Sequence, residues 1–533
     1  MKLSDHYNCI VLGDHPSSLL SGALAAKLGL SVLMLPMGKS QKLSVAKTGQ
    51  FLDFETNWMT GFNSDSSLND KKGLLLDCLV QLGLQVADVA TLVERTELPQ
   101  VLTPHVRVHL SKDSSAWASE LNREFGKLHV AEKFIGDYFQ NVEKQFTQYG
   151  IDLPKRLQLA AEEQKKPLYK KIFNRKFDPE PILNSPGKSE KAIGNFPWIW
   201  EENTSATRNC KSKELISGLT FGNSGNYSDR FEALDAVQLL VLARTAVRFR
   251  GGLTAYRDLL IRLAKRFGAH TSEGLECSRI FFESGKFIGV QVANRGNMIS
   301  ADGAIAGCGL NLLREKISAS KSNLRKFKNS PKSVGWKFTL SVKVQLSAIP
   351  VGANSRLIWQ EADAPPMEIE IVNPQELGAK DSEHRLLFLR TVMPFRAESL
   401  EIDFQRKVAA RMLRLLSEIM PFVEYHISSI YPNYREYFVG EESENQEVLD
   451  ESFASPKLED ELLQLYPFKT LAEIPENLRS YDSQGTGAHS GIEGLFVGSG
   501  EAYPRLGSFG GTLSALEFTA WLANRSGLSG PLV

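Results

Sequence analysis

Tyr7-Asn-Cys-Ile-Val-Leu-Gly-Asp-His-Pro-Ser-Ser18, then Leu19-Leu-Ser-Gly-Ala-Leu-Ala-Ala-Lys-Leu-Gly29, then Ser31-Val-Leu-Met-Leu-Pro36 is the stretch that decides the fold. Residues 7–13 read as an apolar strand, Gly13 to Ser18 as a tight turn, Leu19 to Gly29 as a helix and 31–35 as a second strand. Strand, turn, helix and strand within about thirty residues make the βαβ unit that binds dinucleotides. The glycines that let such a unit accept a pyrophosphate are only partly present. Gly13 holds the first place of G-x-G-x-x-G, and His15 and Ser18 stand in the other two. At position 15 a Cβ and an imidazole occupy the place where bare backbone approaches phosphate. Pro36 stands where an acid ordinarily accepts the ribose hydroxyls, and it cannot do so.

A chain of 533 residues exceeds what one hydrophobic core can serve, so two or three domains are expected. With 42% apolar and 23% charged residues the balance is that of a soluble globular chain. Lys+Arg and Asp+Glu are equal at 62 each, which gives no overall field to draw nucleic acid or an anionic membrane. Five cysteines, Cys9, Cys78, Cys210, Cys277 and Cys308, are widely spaced with no C-x-x-C pair, so neither a disulfide framework nor a zinc site is expected. The start MKLSDHYN lacks a basic-then-apolar leader pattern, and no stretch reaches the ~18 uncharged apolar residues of a membrane span. The expected location is cytoplasmic, with peripheral membrane contact as the alternative.

Along the chain, residues 51–62 alternate like an edge strand, and 70–84 carry helical spacing that ends at Gly83. Residues 116–149 are helical in period. The basic pairs Lys165-Lys166, Lys170-Lys171 and Arg175-Lys176 read as a solvated helix face, with a docking patch as the alternative. Phe196-Pro197-Trp198-Ile199-Trp200 reads as core or as cavity lining. Gly251-Gly252 opens a helix closed by Gly268, and a hairpin follows over 279–290 with its turn at Glu283-Ser284-Gly285. Residues 335–347 and 367–393 alternate as an antiparallel sheet does, and 401–419 form an amphipathic helix. Near the end, 494–498 read as a strand, Gly500 to Gly511 as a glycine-rich loop and Thr512 to Leu522 as a helix. Glycines running onto a helix N-terminus make an anion site, or else a tight turn without a ligand.

In this order the motifs resemble the two-domain flavoprotein superfamily of phytoene desaturases, carotenoid isomerases and monoamine oxidases, whose fold the Rab GDP-dissociation inhibitors share. Residues 7–35 resemble its N-terminal unit, and Phe51-Leu-Asp-Phe-Glu with Gly61 resembles its G-F-x-F-D-x-G segment. Residues 251–308 resemble its GG-helix-strand-hairpin block. Gly498, Gly500, Pro504, Gly507 and Gly510 fall on its C-terminal motif, with one residue inserted. The resemblance covers most of the chain, with 85–235 matching only as a variable substrate region.

That resemblance implies an α/β fold: a Rossmann-like FAD/NAD(P)-binding domain with an inserted α+β substrate domain of antiparallel sheet plus helices. The nucleotide domain would comprise residues 1–84, 236–315 and 481–533, with a helical substrate region at 85–235 and the substrate domain at 316–480. FAD would lie along Gly13, His15, Ser17 and Ser18 at its pyrophosphate, Cys277 at its adenine, and Gly500, Glu501, Gly507, Gly510 and Gly511 at its ribityl chain and flavin. Two functions follow from it. One is an FAD-dependent oxidoreductase acting on an apolar small molecule or lipid, such as a polyene or an amine. The other is a cofactor-less binder of a lipid, a prenyl group or a protein partner. Nothing identifies a catalytic acid or base; His105, His109 and His129 fall in the substrate region, where a lone histidine is commonly structural.

Overall fold

The two apolar runs of the opening stretch form β1 (His6–Leu12) and β2 (Val32–Leu35), joined by α1 (Pro16–Lys27). The computed structural model describes residues 4–37, 73–94, 99–109, 114–125, 246–272, 275–293, 298–318, 333–361, 364–374, 382–431, 471–475, 488–499 and 507–528, with a few isolated positions and two-residue strands besides. Short strands β3 (Ser44–Val45), β4 (Gln50–Phe51) and β5 (Trp58–Met59) precede α2 (Leu74–Gln81), α3 (Val86–Leu92) and β6 (Val93–Glu94). A hairpin of β7 (Gln100–Leu102) and β8 (Arg107–His109) leads to α4 (Ser114–Phe125). Next come β9 (Val247–Phe249), α5 (Gly252–Arg266), β10 (His270–Thr271), β11 (Cys277–Glu283), β12 (Lys286–Val292), β13 (Met298–Ala306), α6 (Leu310–Lys316) and β14 (Ile317–Ser318). The later part holds β15 (Ser333–Gln345), β16 (Arg356–Trp359), β17 (Met367–Val372), β18 (His384–Pro394), α7 (Ile402–Ile419), β19 (Ile427–Tyr431) and β20 (Leu471–Pro475). β21 (Leu495–Val497) and α8 (Gly507–Arg525) complete the described elements.

The first sheet runs β10-β2-β1-β13-β12-β11-β14, with β21 beside β13. β1 lies parallel to β2 and β13, and β21 lies parallel to β13. A central parallel strand is covered on both faces, which is why Cys9 to Leu12 and Val32 to Leu35 are continuously apolar and buried. Leu20 and Ala23 of α1, Leu260 of α5 and Leu513 and Phe518 of α8 cover one face. Leu310 and Leu313 of α6, with Phe327, cover the other. The expected α/β fold is present, with β11 and β12 as its antiparallel hairpin. Its turn falls at Ser284 and Gly285, both at positive φ.

The second sheet runs β19-β15-β18-β17-β16-β7-β8, with β20 on β15, and is antiparallel except where β7 meets β16. Because side chains alternate across a strand, its two faces differ completely. Leu340, Val342, Leu357, Ile369, Leu387 and Leu389 point to α7 and pack on its Ala409, Met412, Leu413 and Leu416. The amphipathic period read over 401–419 is this face of α7. On the opposite face stand Arg356, Glu368, Glu370 and Arg390, each at most 2% exposed. Arg356 Nε is 2.6 Å from Glu368 Oε1, and Arg390 reaches Glu370 at 2.9 Å and Glu368 at 3.5 Å. Burial alone would raise the Glu368 carboxyl, but the guanidiniums of Arg356 and Arg390, with Lys337, overcome it and hold Glu368 below the usual carboxylate range.

Two short strands, β7 and β8, stand inside the stretch read as helical, and they attach it to the second sheet. Three-residue strands are too short to show a period of two. No single helix among the described residues is long and apolar enough to cross a membrane.

Removing one partner from a buried ionic network leaves a charge uncompensated, so Glu368→Gln should lower stability by about 3–5 kcal/mol in denaturant unfolding. With its folded pKa lowered, Glu368 contributes stability above its unfolded pKa and loses it as pH falls through the folded one. Stability of the parent should therefore fall more steeply on acidification than that of Glu368→Gln.

Candidate functional site: the nucleotide seat

In a doubly wound sheet, ligands bind beyond the carboxyl ends of the strands, where helices begin. Here β1, β13 and β21 end side by side. The N–H of Gly13 donates to Leu35 O at 2.8 Å, that of Gly307 to Leu12 O at 2.6 Å and that of Gly498 to Ala306 O at 2.6 Å. Gly13 takes φ +88°, a left-handed conformation that suits glycine, and its α-carbon faces the Gly307 carbonyl so closely that a Cβ would come within 3.2 Å.

α1 starts at Pro16, three residues before the start expected at Leu19. Proline suits the first helical position because the N–H it lacks would have no intrahelical partner. His15 is the N-cap. Its Nδ1 accepts from the Ser17 N–H at 3.3 Å and lies 2.5 Å from Ser17 Oγ. The Ser17 hydroxyl donates to the carbonyl of Gly498, and Ser18 Oγ donates to His15 O at 2.8 Å. The N-terminus that would face a phosphate is thus capped by its own chain.

α8 likewise begins earlier than expected, at Gly507, so Gly510 and Gly511 lie inside the helix. The smallness of Gly511 serves the crossing with α1. A Cβ on Gly511 would come 3.2 Å from Ser17 Cβ and 3.8 Å from His15 Cε1, and one on Gly498 would come 3.3 Å from Ser18 Cβ. A Cβ on Gly307 would collide with Ser18 Oγ and come 2.9 Å from His15 Cβ. Ser21 and Thr519 approach at 3.3 Å along the same crossing, and both are fully buried.

No sequence-family model and no curated protein sequence matches the chain. Solved structures do. An oxidoreductase from Methanosarcina mazei matches with a TM-score of 0.54 at 14% identity, over 96% of this chain and 99% of that one. Putrescine oxidase bound to putrescine matches with a TM-score of 0.51 at 13% identity, over 98% and 99%. Cyclohexylamine oxidase from Brevibacterium oxydans IH-35A matches with a TM-score of 0.51 at 11% identity, over the same shares. The chain has the amine-oxidase fold.

In that fold the residues expected at a pyrophosphate come together: Gly13, His15, Ser17 and Ser18 from one end of the chain meet Gly511 and Gly498 from the other. Much of the room, and two of the donors there, are already taken. Pro16 has no N–H, the Ser17 N–H goes to the imidazole and the Leu19 N–H to His15 O. The seat does not fit the FAD pyrophosphate. Cys277 is separate from this cluster, buried at the start of β11, with its N–H donating to Pro36 O at 3.3 Å. Burial pushes its thiol up to about 12, against the opposing charge of Lys316. Gly500 and Glu501 lie outside the described residues, as do His129, residues 196–200 and the basic pairs of 165–176. The His109 N–H donates to Glu120 Oε2 at 3.2 Å, and His105 lines a cavity in the second sheet. Gly307, packed against His15 and Ser18, was legible only as part of a short strand read over 300–308, whereas β13 ends at Ala306. Among the described residues no cluster of His, Cys, Asp or Glu could hold a metal ion.

Ser17→Ala removes the bond to Gly498 and should cost about 1–2 kcal/mol. Gly307→Ala forces a methyl group into the capped turn and should cost about 1–3 kcal/mol. Denaturant unfolding measures both, and an unchanged midpoint for Gly307→Ala would show that the turn is open.

Proposed function

We propose that this chain is a binding protein built on the amine-oxidase fold that works without FAD. One observation carries the reading: His15, Ser17 and Ser18 fill and cap the place where the dinucleotide pyrophosphate would lie. Two further features agree with it. Pro36 ends β2 where a ribose-binding acid would stand, and its carbonyl takes the Cys277 N–H. Without the cofactor, function rests on binding by the second-sheet domain. The ligand classes expected for such a binder are a lipid, a prenyl group or a protein partner, and none of them requires the nucleotide seat.

A second reading, an FAD-dependent oxidoreductase acting on an apolar substrate, is favoured by Ser499. Its side chain is 7% exposed and its hydroxyl has no hydrogen-bond partner among the described residues. It adjoins Gly500 and Glu501, the positions expected near the flavin. A buried hydroxyl without a partner is what a bound ligand would satisfy. In that case FAD would supply the redox chemistry.

Visible absorbance and thermal unfolding separate the two. The purified parent should be colourless and gain no unfolding temperature from added FAD, whereas His15→Gly should gain FAD-dependent stabilisation. A yellow parent that releases FAD on denaturation overturns the proposal.

A further inference from the structure

The β7–β8 hairpin, the turn at 350–353, β16, Glu124 of α4 and the last turn of α7 enclose an open cavity of about 450 Å³. That volume suits a small molecule, for which pockets of roughly 300–1,000 Å³ are usual. None of its lining residues belongs to the nucleotide seat, so the inference is independent of how that seat is read.

Leu102, Leu357, Trp359 and Ile419 supply an apolar wall. Arg107 and Glu418 supply charge. With the Gln100 amide assigned from its hydrogen-bond network, its oxygen accepts from Arg107 Nε at 2.7 Å and Nη2 at 3.0 Å. Gln100 is buried, so the guanidinium is oriented by a neutral partner that leaves its charge uncompensated. Thr103 Oγ1 accepts from the N–H groups of His105 at 3.1 Å and Val106 at 3.0 Å, which pins the hairpin turn that presents His105 and Arg107. The other acid of the cavity, Glu124, is held by Arg123 at 2.9 Å. Neither Arg107 nor Glu418 makes an ion pair with any described residue.

One cation and one anion, neither ion-paired among the described residues, share a single cavity with an apolar wall. We propose that it binds a small zwitterion with an apolar body, of which a free apolar amino acid is the simplest case. The carboxylate lies against Arg107, where guanidinium hydrogen bonds are strong and directional. The ammonium lies against Glu418, and the apolar body lies on Leu102, Leu357 and Trp359.

The test is calorimetry on the full chain with phenylalanine, and with phenethylamine and 3-phenylpropanoate, each of which lacks one of the two charges. Phenylalanine should bind more tightly than either. Arg107→Gln should weaken phenylalanine and 3-phenylpropanoate at least about tenfold and leave phenethylamine unchanged. Glu418→Gln should weaken phenylalanine and phenethylamine and spare 3-phenylpropanoate. Both side chains are exposed, so both variants should unfold at the parent's temperature. The proposal is overturned if phenylalanine gives no binding heat, if the single-charge analogues match it, or if its affinity survives both substitutions. None of these outcomes depends on FAD.

Discussion

The donation of the Ser17 hydroxyl to the Gly498 carbonyl joins residues 481 positions apart and ties the start of α1 to the end of β21. Three strand ends must stop at one level for that bond to form, and their backbone hydrogen bonds make them do so. The glycines follow from the same requirement. A Cβ at Gly307 would press on the His15 cap, one at Gly498 on Ile305 and Ser18, and one at Gly511 on Ser17. Further along the crossing, Ser21 and Thr519 continue the contact with small hydroxyl side chains, and Ser514 Oγ donates to Val497 O at 2.5 Å. Small residues permit close approach and hydroxyls satisfy the backbone, so α1 and α8, from opposite ends of the sequence, pack on one face of the first sheet.

The second sheet answers a different constraint. Its face toward α7 is an ordinary apolar core, while the opposite face buries two arginines and two glutamates. Burying four charges is expensive unless each is paired, and the diagonal pairing across β16, β17 and β18 achieves this. These four side chains are covered, so that face offers no surface to a ligand. The apolar wall open to a ligand is at the sheet's edge, beside Arg107 and Glu418.

What was legible in the sequence was whatever a local period or turn decides. β1 and β2 are apolar because they are covered on both faces, α7 shows its one apolar face, and Ser284-Gly285 marks the hairpin. The start of α8 was misplaced because glycine is a poor helix former, and Gly507, Gly510 and Gly511 look like a loop. Tertiary closeness overrides propensity there. The alternation over 367–393 was visible, but not that both faces would be buried, one apolar and one ionic. Nor could the sequence show that Gln100 orients Arg107, because that pairing depends on the hairpin register.

His15 was legible as an obstacle to phosphate, and its weight depends on which part of the side chain obstructs. A dinucleotide would have to displace two intrachain hydrogen bonds, the imidazole cap and the Ser17–Gly498 bond. At about 1 kcal/mol each, that weakens binding roughly thirtyfold, which a large ligand could offset. The imidazole could also rotate away from Gly511. The Cβ cannot. It is fixed by the backbone of the turn, and a methyl group on Gly307 would already come within 2.9 Å of it. No rotamer of His15 moves that Cβ, so the obstruction beside Gly307 is one of occupied volume.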